Sequence, residues 1–242
     1  MTEYILGIDT STRVCVGFAR DGKPRVSQAV GDSRSHVELL IPTVKTVLNM
    51  AAITPSQLTG IAIGMGPGPY TGLRVGVATA EMLAQAWDLR LYHVCSLDAI
   101  AIGWALTHPL ADFIACSDAR RKELYWAVYN RFGQRLDGPN VSLPTELPQL
   151  PCVGPGALIY PKAGAGMDPY LTVRLGVWID QFAPRWPDLA DVQTAIGLDA
   201  AVLAGFAPLL PDAGVEPLYL RHADTAPSRP AKSVLVESQS QS

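Results

Sequence analysis

Short apolar runs alternate with turn signals over the first thirty residues. The runs 4–8, 14–19 and 25–30 are strand-like, and the links between them are only a few residues long. The second link contains an Asp-Gly pair, which is a strong hairpin signal. The chain is therefore predicted to begin with three antiparallel strands.

Helix and strand patterns alternate after these strands. A helix is predicted over 35–51, where Ser35 and Glu38 have the spacing of a capping box. A strand at 60–64, a glycine-rich loop, a helix ending at Trp87, a strand at 91–94 and a helix over 96–106 follow. This order is typical of an α/β lobe.

The pattern restarts near residue 109. Strand-like runs at 113–116 and 124–129 enclose a turn, as at the start of the chain, whereas 134–190 is rich in proline and glycine and gives no assignment. A helix over 192–206 and a strand at 217–221 are predicted to close the fold. We therefore predict an N-terminal lobe (1–108), a C-terminal lobe (109–221) and a disordered tail (222–242).

Composition and charge narrow the class of protein. The chain has 242 residues, of which 48% are hydrophobic and 17% charged, as expected for a globular protein. Its net charge is −3 and its only basic run is 120–122, so no nucleic-acid footprint of its own is expected. Without a leader or a long apolar segment, the prediction is a cytoplasmic protein with no membrane contact.

The four cysteines and four histidines give no sign of a metal centre. The cysteines are scattered, so buried free thiols are expected rather than disulfides or metal ligands. The histidines lack the paired spacing of a metal site. The pattern indicates neither a metal ligand set nor a catalytic set of side chains.

The glycine-rich loop reads GMGPGPYTGLRVG and lies between a strand and a helix, the order used by phosphate loops. Leu73 and Arg74 stand where a Walker loop needs Lys and Ser or Thr. Thr71 replaces the third glycine of a dinucleotide fingerprint. Pro67 and Pro69 cannot donate a backbone N–H. These features favour a structural loop with some partner contact over a phosphate site, although both interpretations stay open.

The helix after the loop carries more apolar surface than one sheet can cover. Thr71 is its expected N-cap. Arg74 lies unfavourably in the first turn with respect to the helix dipole and should have a carboxylate, carbonyl or ligand partner. Small residues recur at a spacing of four, which permits close approach by another helix: Gly72, Gly76, Ala80 and Ala84.

The helix over 35–51 also has an apolar surplus. Its core stripe contains Val37, Leu40, Ile41, Val44, Val47, Leu48 and Ala51. A polar face contains Glu38, Lys45 and Asn49. A second, uncharged face contains Leu39, Thr43, Thr46 and Met50, with His36 near its edge. This face predicts burial under either another lobe of the same chain or a partner protein.

Two turns are candidate ligand sites. Asp9, Thr10 and Ser11 end the first strand and could hold magnesium and phosphate, although such turns more often satisfy their own backbone. Gly154 and Gly156 could bring the backbone close to a nucleotide base, and a plain turn is the alternative.

Five motifs together resemble one known family. In chain order they are GIDTS at 7–11, RSH at 34–36, GPGPYTGLRVG at 66–76, DAR with ELYWA at 118–127, and YLR at 219–221. They resemble the TsaB (YeaZ-like) family, the dimerization subunits of the bacterial tRNA threonylcarbamoyladenosine system. The likeness runs from residue 5 to 221 and is loose over 134–190.

The resemblance implies the actin/Hsp70/sugar-kinase (ASKHA) fold, with two lobes of βββαβαβα type and a reduced second lobe. The Asp9 turn would correspond to a phosphate loop, and the segment around Gly154 and Gly156 to an adenosine-binding segment. In this family both are expected to be degenerate, so Asp9, Thr10, Ser11, Gly154 and Gly156 form a vestigial nucleotide site.

The resemblance also implies a non-catalytic scaffold that pairs with a TsaD-like catalytic paralogue, on which a TsaE-like ATPase docks. That complex transfers threonylcarbamoyl to the adenosine next to the anticodon of tRNAs that read A-starting codons. The chain would touch tRNA only through the complex and would homodimerise without its partner. It would need no cofactor, with ATP or ADP and metal on the partner subunits.

The implied interface lies on the two helices with surplus apolar surface. It comprises His36, Leu39, Leu40, Thr43, Thr46, Met50, Gly72, Arg74, Gly76, Ala80 and Ala84. The catalytic paralogue carries two metal-binding histidines four residues apart, whereas the equivalent stretch here, 95–100, has none. The alternative is a kinase or ATPase of the same fold that acts alone and uses Asp9, Ser11 and 154–156.

Overall fold

Two β-sheets organise the protein. The computed structural model describes residues 2–31, 36–106, 111–166 and 197–220. The first sheet and its helices are β1 (Tyr4–Asp9), β2 (Val14–Arg20), β3 (Lys23–Val30), α1 (His36–Met50), β4 (Gly60–Gly64), α2 (Tyr70–Trp87), β5 (Arg90–Val94) and α3 (Ser96–Ala105). This is the βββαβαβα order that was predicted.

The strands of the first sheet lie in the order β3-β2-β1-β4-β5. The β1–β2 and β2–β3 pairs are antiparallel, whereas β1–β4 and β4–β5 are parallel. Side chains alternate between the two faces of a strand. Leu6 and Ile8 pack with α1 and α2, whereas Ile5 joins the core on the other face.

The second sheet repeats the opening of the first. Its elements are β6 (Phe113–Asp118), β7 (Leu124–Tyr129), β8 (Arg135–Ser142) and β9 (Cys152–Val153), followed by the short helix α4 (Pro155–Ile159). The strand order is β8-β7-β6-β9, with only β9 parallel to its neighbour. The predicted restart is confirmed, and β8, β9 and α4 lie in the stretch that the sequence left unassigned.

A late helix, α5 (Ala200–Phe206), packs on β1, β2 and β3 of the first sheet. The contact is close because Gly7 and Gly17 face it, and a Cβ atom at Gly17 would overlap the backbone of Ala200 and Ala201. The first sheet is therefore covered by α1 and α2 on one face and by α3 and α5 on the other. The division at 108/109 stays a prediction, and α5 shows that the later segment completes the packing of the first sheet.

Three predictions of secondary structure are wrong. The helix over 192–206 does not extend unbroken, because 197–199 is not helical and the Asp199 carboxylate caps α5 by accepting from the Ala201 N–H at 2.8 Å. Residues 217–220 form no strand. Thr71 is not an N-cap, because α2 begins at Tyr70, directly after Pro69.

Some predictions lie outside the described residues. They are the Ser35 capping box, the helical pattern over 192–196 and the tail over 222–242. Within the described helices, none is long and apolar enough to span a membrane.

All four cysteines are free and buried, as predicted. Burial raises the pKa of the Cys95 thiol to about 12, chiefly because the interior disfavours a thiolate. The Cys116 and Cys152 thiols lie 3.4 Å from the carbonyl oxygen of Val153 and 3.3 Å from that of Ala163, respectively. All four side chains fill space in the core.

Candidate functional site

The carboxylate of Asp9 lies at the end of β1 and is completely buried. Its Oδ1 atom accepts hydrogen bonds from the Ser11 N–H at 2.8 Å and the Ser11 hydroxyl at 2.7 Å, and its Oδ2 atom accepts one from the Ser96 hydroxyl. Burial raises the pKa of Asp9, and the hydrogen bonds from Ser96 and Ser11 oppose this shift only in part. Each carboxylate oxygen is therefore engaged by the protein itself.

Hydrogen bonds hold the glycine-rich loop against the β1 turn and the start of α3. The carbonyl oxygen of Gly66 accepts from the Ser96 N–H at 2.7 Å, and the Gly66 N–H donates to the Ser96 hydroxyl at 3.1 Å. The Thr10 hydroxyl donates to the carbonyl oxygen of Gly72 at 2.8 Å. The first two bonds join the loop after β4 to the start of α3, and the third joins the end of β1 to the start of α2.

The loop glycines allow an approach that no side chain would permit. A Cβ atom at Gly64 would overlap the Asp9 carboxylate, and one at Gly68 would lie 2.8 Å from Ser11 Cα. Asp9 and Thr10 have no exposed surface, and Ser11 is 5% exposed. The backbone of the glycine-rich loop therefore packs directly against the β1 turn. Whether a nucleotide binds weakly stays a prediction.

Gly154 and Gly156 lie at the junction of β9 and α4, not in a plain turn. Gly154 has φ +92°, and a Cβ atom there would lie 2.7 Å from the carbonyl oxygen of Cys116. A Cβ at Gly156 would come within 2.9 Å of the Cys116 thiol. Both glycines are buried. They serve the close packing of α4 on β6, which is a structural reason for glycine here.

Six of the eleven predicted interface residues are buried within this chain: Leu40, Thr43, Gly72, Gly76, Ala80 and Ala84. A Cβ atom at Gly76 would overlap the Thr10 side chain, so this glycine lets α2 approach the β1 turn closely. The Thr43 hydroxyl donates to the carbonyl oxygen of Leu39 at 2.7 Å. These six residues have little accessible surface in the isolated chain, because the two helices bury a wider stripe than the pattern indicated, and their place in a partner interface stays a prediction.

An exposed apolar surface nevertheless remains on both helices. Thr46 and Met50 are exposed, Leu39 is partly buried, and the side chain of His36 lies outside the description. Val37 was assigned to the core but is 72% exposed, and Met82 is 54% exposed. We define the outer helix surface as Pro42, Thr46 and Met50 of α1 with Ala78, Met82 and Ala86 of α2. Met82 and Ala86 lie on the wide apolar face that the α2 pattern predicted, although the sequence analysis did not name these two residues.

Arg74 is exposed in the first turn of α2, and its guanidinium lies 4.1 Å from the ring centroid of Tyr70. The predicted partner was a carboxylate, a carbonyl or a ligand, whereas the partner found among the described residues is an aromatic ring. The Tyr70 ring in turn contacts the ring of Tyr219, with centroids 4.7 Å apart. Sequence alone could not find this contact, because the two tyrosines are far apart in the chain.

A second buried polar cluster joins α3 to the second sheet. The Asp98 Oδ1 atom accepts from the Tyr129 hydroxyl at 2.7 Å and lies 3.3 Å from Arg135 Nε. Burial raises the pKa of Asp98, opposed by Tyr129 and Arg135. Over the described part of the chain, no group of three His, Cys, Asp or Glu residues could hold a metal.

The strand order of the first sheet and its repetition in the second sheet define the actin/Hsp70/sugar-kinase class. A family model described as "TsaD: tRNA N6-adenosine threonylcarbamoyltransferase" matches residues 31–223. A solved structure, YeaZ from Pseudomonas aeruginosa, is 28% identical and aligns over 60% of this chain and 70% of that chain with a TM-score of 0.54.

Curated relatives agree with this match. An uncharacterized protein of Mycobacterium leprae is 37% identical over 92% of this chain and 56% of its own length. An uncharacterized protein of Mycobacterium tuberculosis is 34% identical over 92% of this chain and 94% of its own. The tRNA threonylcarbamoyladenosine biosynthesis protein TsaB of Escherichia coli is 33% identical over 52% of this chain and 55% of its own length. The chain belongs to the TsaD family and, within it, is TsaB/YeaZ-like.

Proposed function

We propose that this chain is a non-catalytic, cytoplasmic subunit of tRNA threonylcarbamoyladenosine biosynthesis. It pairs with a TsaD-like catalytic subunit through the outer helix surface and homodimerises through the same surface when that subunit is absent. A TsaE-like ATPase then docks on the pair. The chain supplies no cofactor, and ATP or ADP and metal belong to its partners.

The burial of Asp9 carries the non-catalytic part of the proposal. In a nucleotide enzyme of this fold, a carboxylate at this turn would have to face magnesium and phosphate. Here Ser11 and Ser96 engage both of its oxygens, and Gly64 and Gly68 bring the backbone against it. Opening the site would break the buried hydrogen bonds of a carboxylate whose raised pKa already reflects costly burial.

The outer helix surface supports the pairing part. Met50 and Met82 are each more than half exposed, on two helices that pack side by side on one face of the first sheet. Large exposed apolar side chains on neighbouring elements are characteristic of protein–protein contacts. The curated TsaB relatives supply the pathway, since their names place them in tRNA threonylcarbamoyladenosine biosynthesis.

The alternative is an ATPase or kinase of the same fold that acts alone. A reconstituted assay distinguishes the two with the purified chain, the TsaD-like and TsaE-like subunits of the same genome, tRNA, ATP and the threonylcarbamoyl donor. The proposal predicts that product forms only when this chain and the TsaD-like subunit are both present. It also predicts that the Asp9→Asn variant, once folded, supports wild-type product formation.

The competing function has a different outcome. If the chain alone hydrolyses ATP with magnesium, and Asp9→Asn abolishes that turnover, the chain is an enzyme. Asp88→Asn, which removes an exposed carboxylate, is the matched control and should change neither reaction.

A further inference from the structure

The last described segment, residues 211–220, crosses the first lobe as a strap. The Ala213 N–H donates to the carbonyl oxygen of His93 at 2.9 Å, and the Leu218 N–H donates to that of Met65 at 2.8 Å. Met65 immediately precedes the glycine-rich loop, so the strap is fixed beside that loop. This position brings the ring of Tyr219 onto the ring of Tyr70.

Tyr219, Tyr70 and Arg74 form a ladder on the surface. The two rings have centroids 4.7 Å apart at an interplanar angle of 40°, and the Arg74 guanidinium covers the Tyr70 ring at 4.1 Å. Both contacts have favourable aromatic and cation–π geometry. Tyr70 and Arg74 are four residues apart, so they lie on the same face of α2. The strap therefore restricts the Tyr70 ring, and the ring restricts the guanidinium.

The charge of Arg74 is poorly placed for the isolated subunit. It lies in the first turn of α2, where the helix dipole disfavours a cation. Across the described ranges it forms no ion pair, and its exposed side chain lies against the Tyr70 ring. A restrained guanidinium is suited to bidentate binding of a carboxylate, because less rotational freedom is lost when the pair forms.

We infer that the Tyr219–Tyr70–Arg74 ladder presents Arg74 to a carboxylate of the TsaD-like subunit. This inference rests on the proposed function and names the chemistry of one contact in it. Arg74 is one turn before Ala78 and two turns before Met82, so it borders the outer helix surface on the same helix. An acidic side chain on the partner complements both the cation and the positive end of the helix dipole.

The inference also gives the YLR motif a physical role. Tyr219 does not reach the partner in this account. It is a positioning residue that acts through Tyr70, and its aromatic ring is the part that matters. A phenylalanine should therefore replace it, whereas a leucine should not.

The test is the dissociation constant of the purified chain for the TsaD-like subunit. Arg74→Gln is expected to raise the Kd about 30-fold, since it leaves a partner carboxylate unpaired at the interface. Arg90→Gln is the matched control, because Arg90 is also exposed and covers a tyrosine ring, that of Tyr92 at 4.6 Å, but lies on β5. Arg90→Gln should leave the Kd within twofold.

Tyr219→Leu is expected to raise the Kd at least fivefold, and Tyr219→Phe to leave it within twofold. A rise of less than fivefold for Arg74→Gln overturns the inference, as does an equal rise for Arg90→Gln. If the Kd of Tyr219→Leu stays within twofold of the wild-type value, Tyr219 does not position Arg74, and the inferred role of the ladder is wrong. If the wild-type chain fails to bind, the proposed function itself fails.

Discussion

The hydroxyl of Ser96 donates a hydrogen bond to the buried carboxylate of Asp9, 87 residues earlier in the chain. The same hydroxyl accepts from the Gly66 N–H, so one side chain holds the β1 turn, the glycine-rich loop and the start of α3 together. The glycine-rich loop lies between a strand and a helix, as phosphate loops do, but here Ser96 ties it to the β1 turn. We call this set of contacts the Ser96 joint.

The first prediction concerns this joint. Ser96→Ala removes the partner of a carboxylate oxygen and of a backbone N–H, both of them buried. We expect the free energy of unfolding to fall by about 2–4 kcal/mol. Urea unfolding followed by circular dichroism measures the change. Ser56→Ala, at an exposed site, should change stability by less than about 0.5 kcal/mol. An equal loss of unfolding free energy in the two variants would show that the hydrogen bonds of Ser96 do not stabilise the fold more than an exposed serine does.

The second prediction uses the raised pKa of Asp9. Above about pH 4 the unfolded chain releases this proton while the folded protein keeps it, so stability falls as pH rises until the folded-state pKa is passed. Asp9→Asn removes this contribution. Within that window, wild type should lose up to about 1.4 kcal/mol per pH unit more than the variant.

Unfolding free energies at several pH values between 4 and 8 measure this difference. Asp98 also has a raised pKa, but it is present in both proteins and cancels in the comparison. Asp88→Asn is the control and should retain the wild-type slope. Parallel stability curves for wild type and Asp9→Asn would contradict the burial argument.

The third prediction concerns the contact of α5 with the first sheet. Gly17→Ala places a Cβ atom against the backbone of Ala200 and Ala201, which cannot move aside as a flexible side chain could. We expect a loss of at least about 2 kcal/mol in unfolding free energy. Gly103→Ala is the matched control in α3, because nothing lies within 4 Å of its added Cβ. It should stabilise the protein by about 0.5–1 kcal/mol, and a stable Gly17→Ala would disprove the tight packing.

The sequence predicted the fold well because its elements have strong local signals. The meander of β1 to β3 follows from short apolar runs and an Asp-Gly turn, and the order after it follows from alternating periodicities. The missing lysine and the two prolines favour a structural role for the glycine loop, and that interpretation stays a prediction. These features need no knowledge of distant contacts.

The failures have a common cause in contacts between distant residues. Periodicity showed that α2 has surplus apolar surface. It could not show that Gly76 faces Thr10 and is therefore buried against the β1 turn of the same chain. Val37 fits the core stripe of α1 by its spacing. It lies in the first turn of the helix, however, and is exposed there. Ser96 and Tyr219 gained their roles only from partners dozens of residues away.

The central claim is that the outer helix surface pairs with the TsaD-like subunit. The measurement is the affinity of Met82→Asp for that subunit, compared with Leu136→Asp. Both side chains are similarly exposed, at 54% and 57%, but Leu136 lies on β8 of the second sheet. Both variants should fold, because neither buries its new charge.

Our account predicts that Met82→Asp raises the Kd at least about 100-fold, since a charge is then desolvated in an apolar interface. Leu136→Asp should bind as wild type does. Unchanged binding by Met82→Asp, with Leu136→Asp as the weaker binder, would contradict the claim and place the interface on the second sheet.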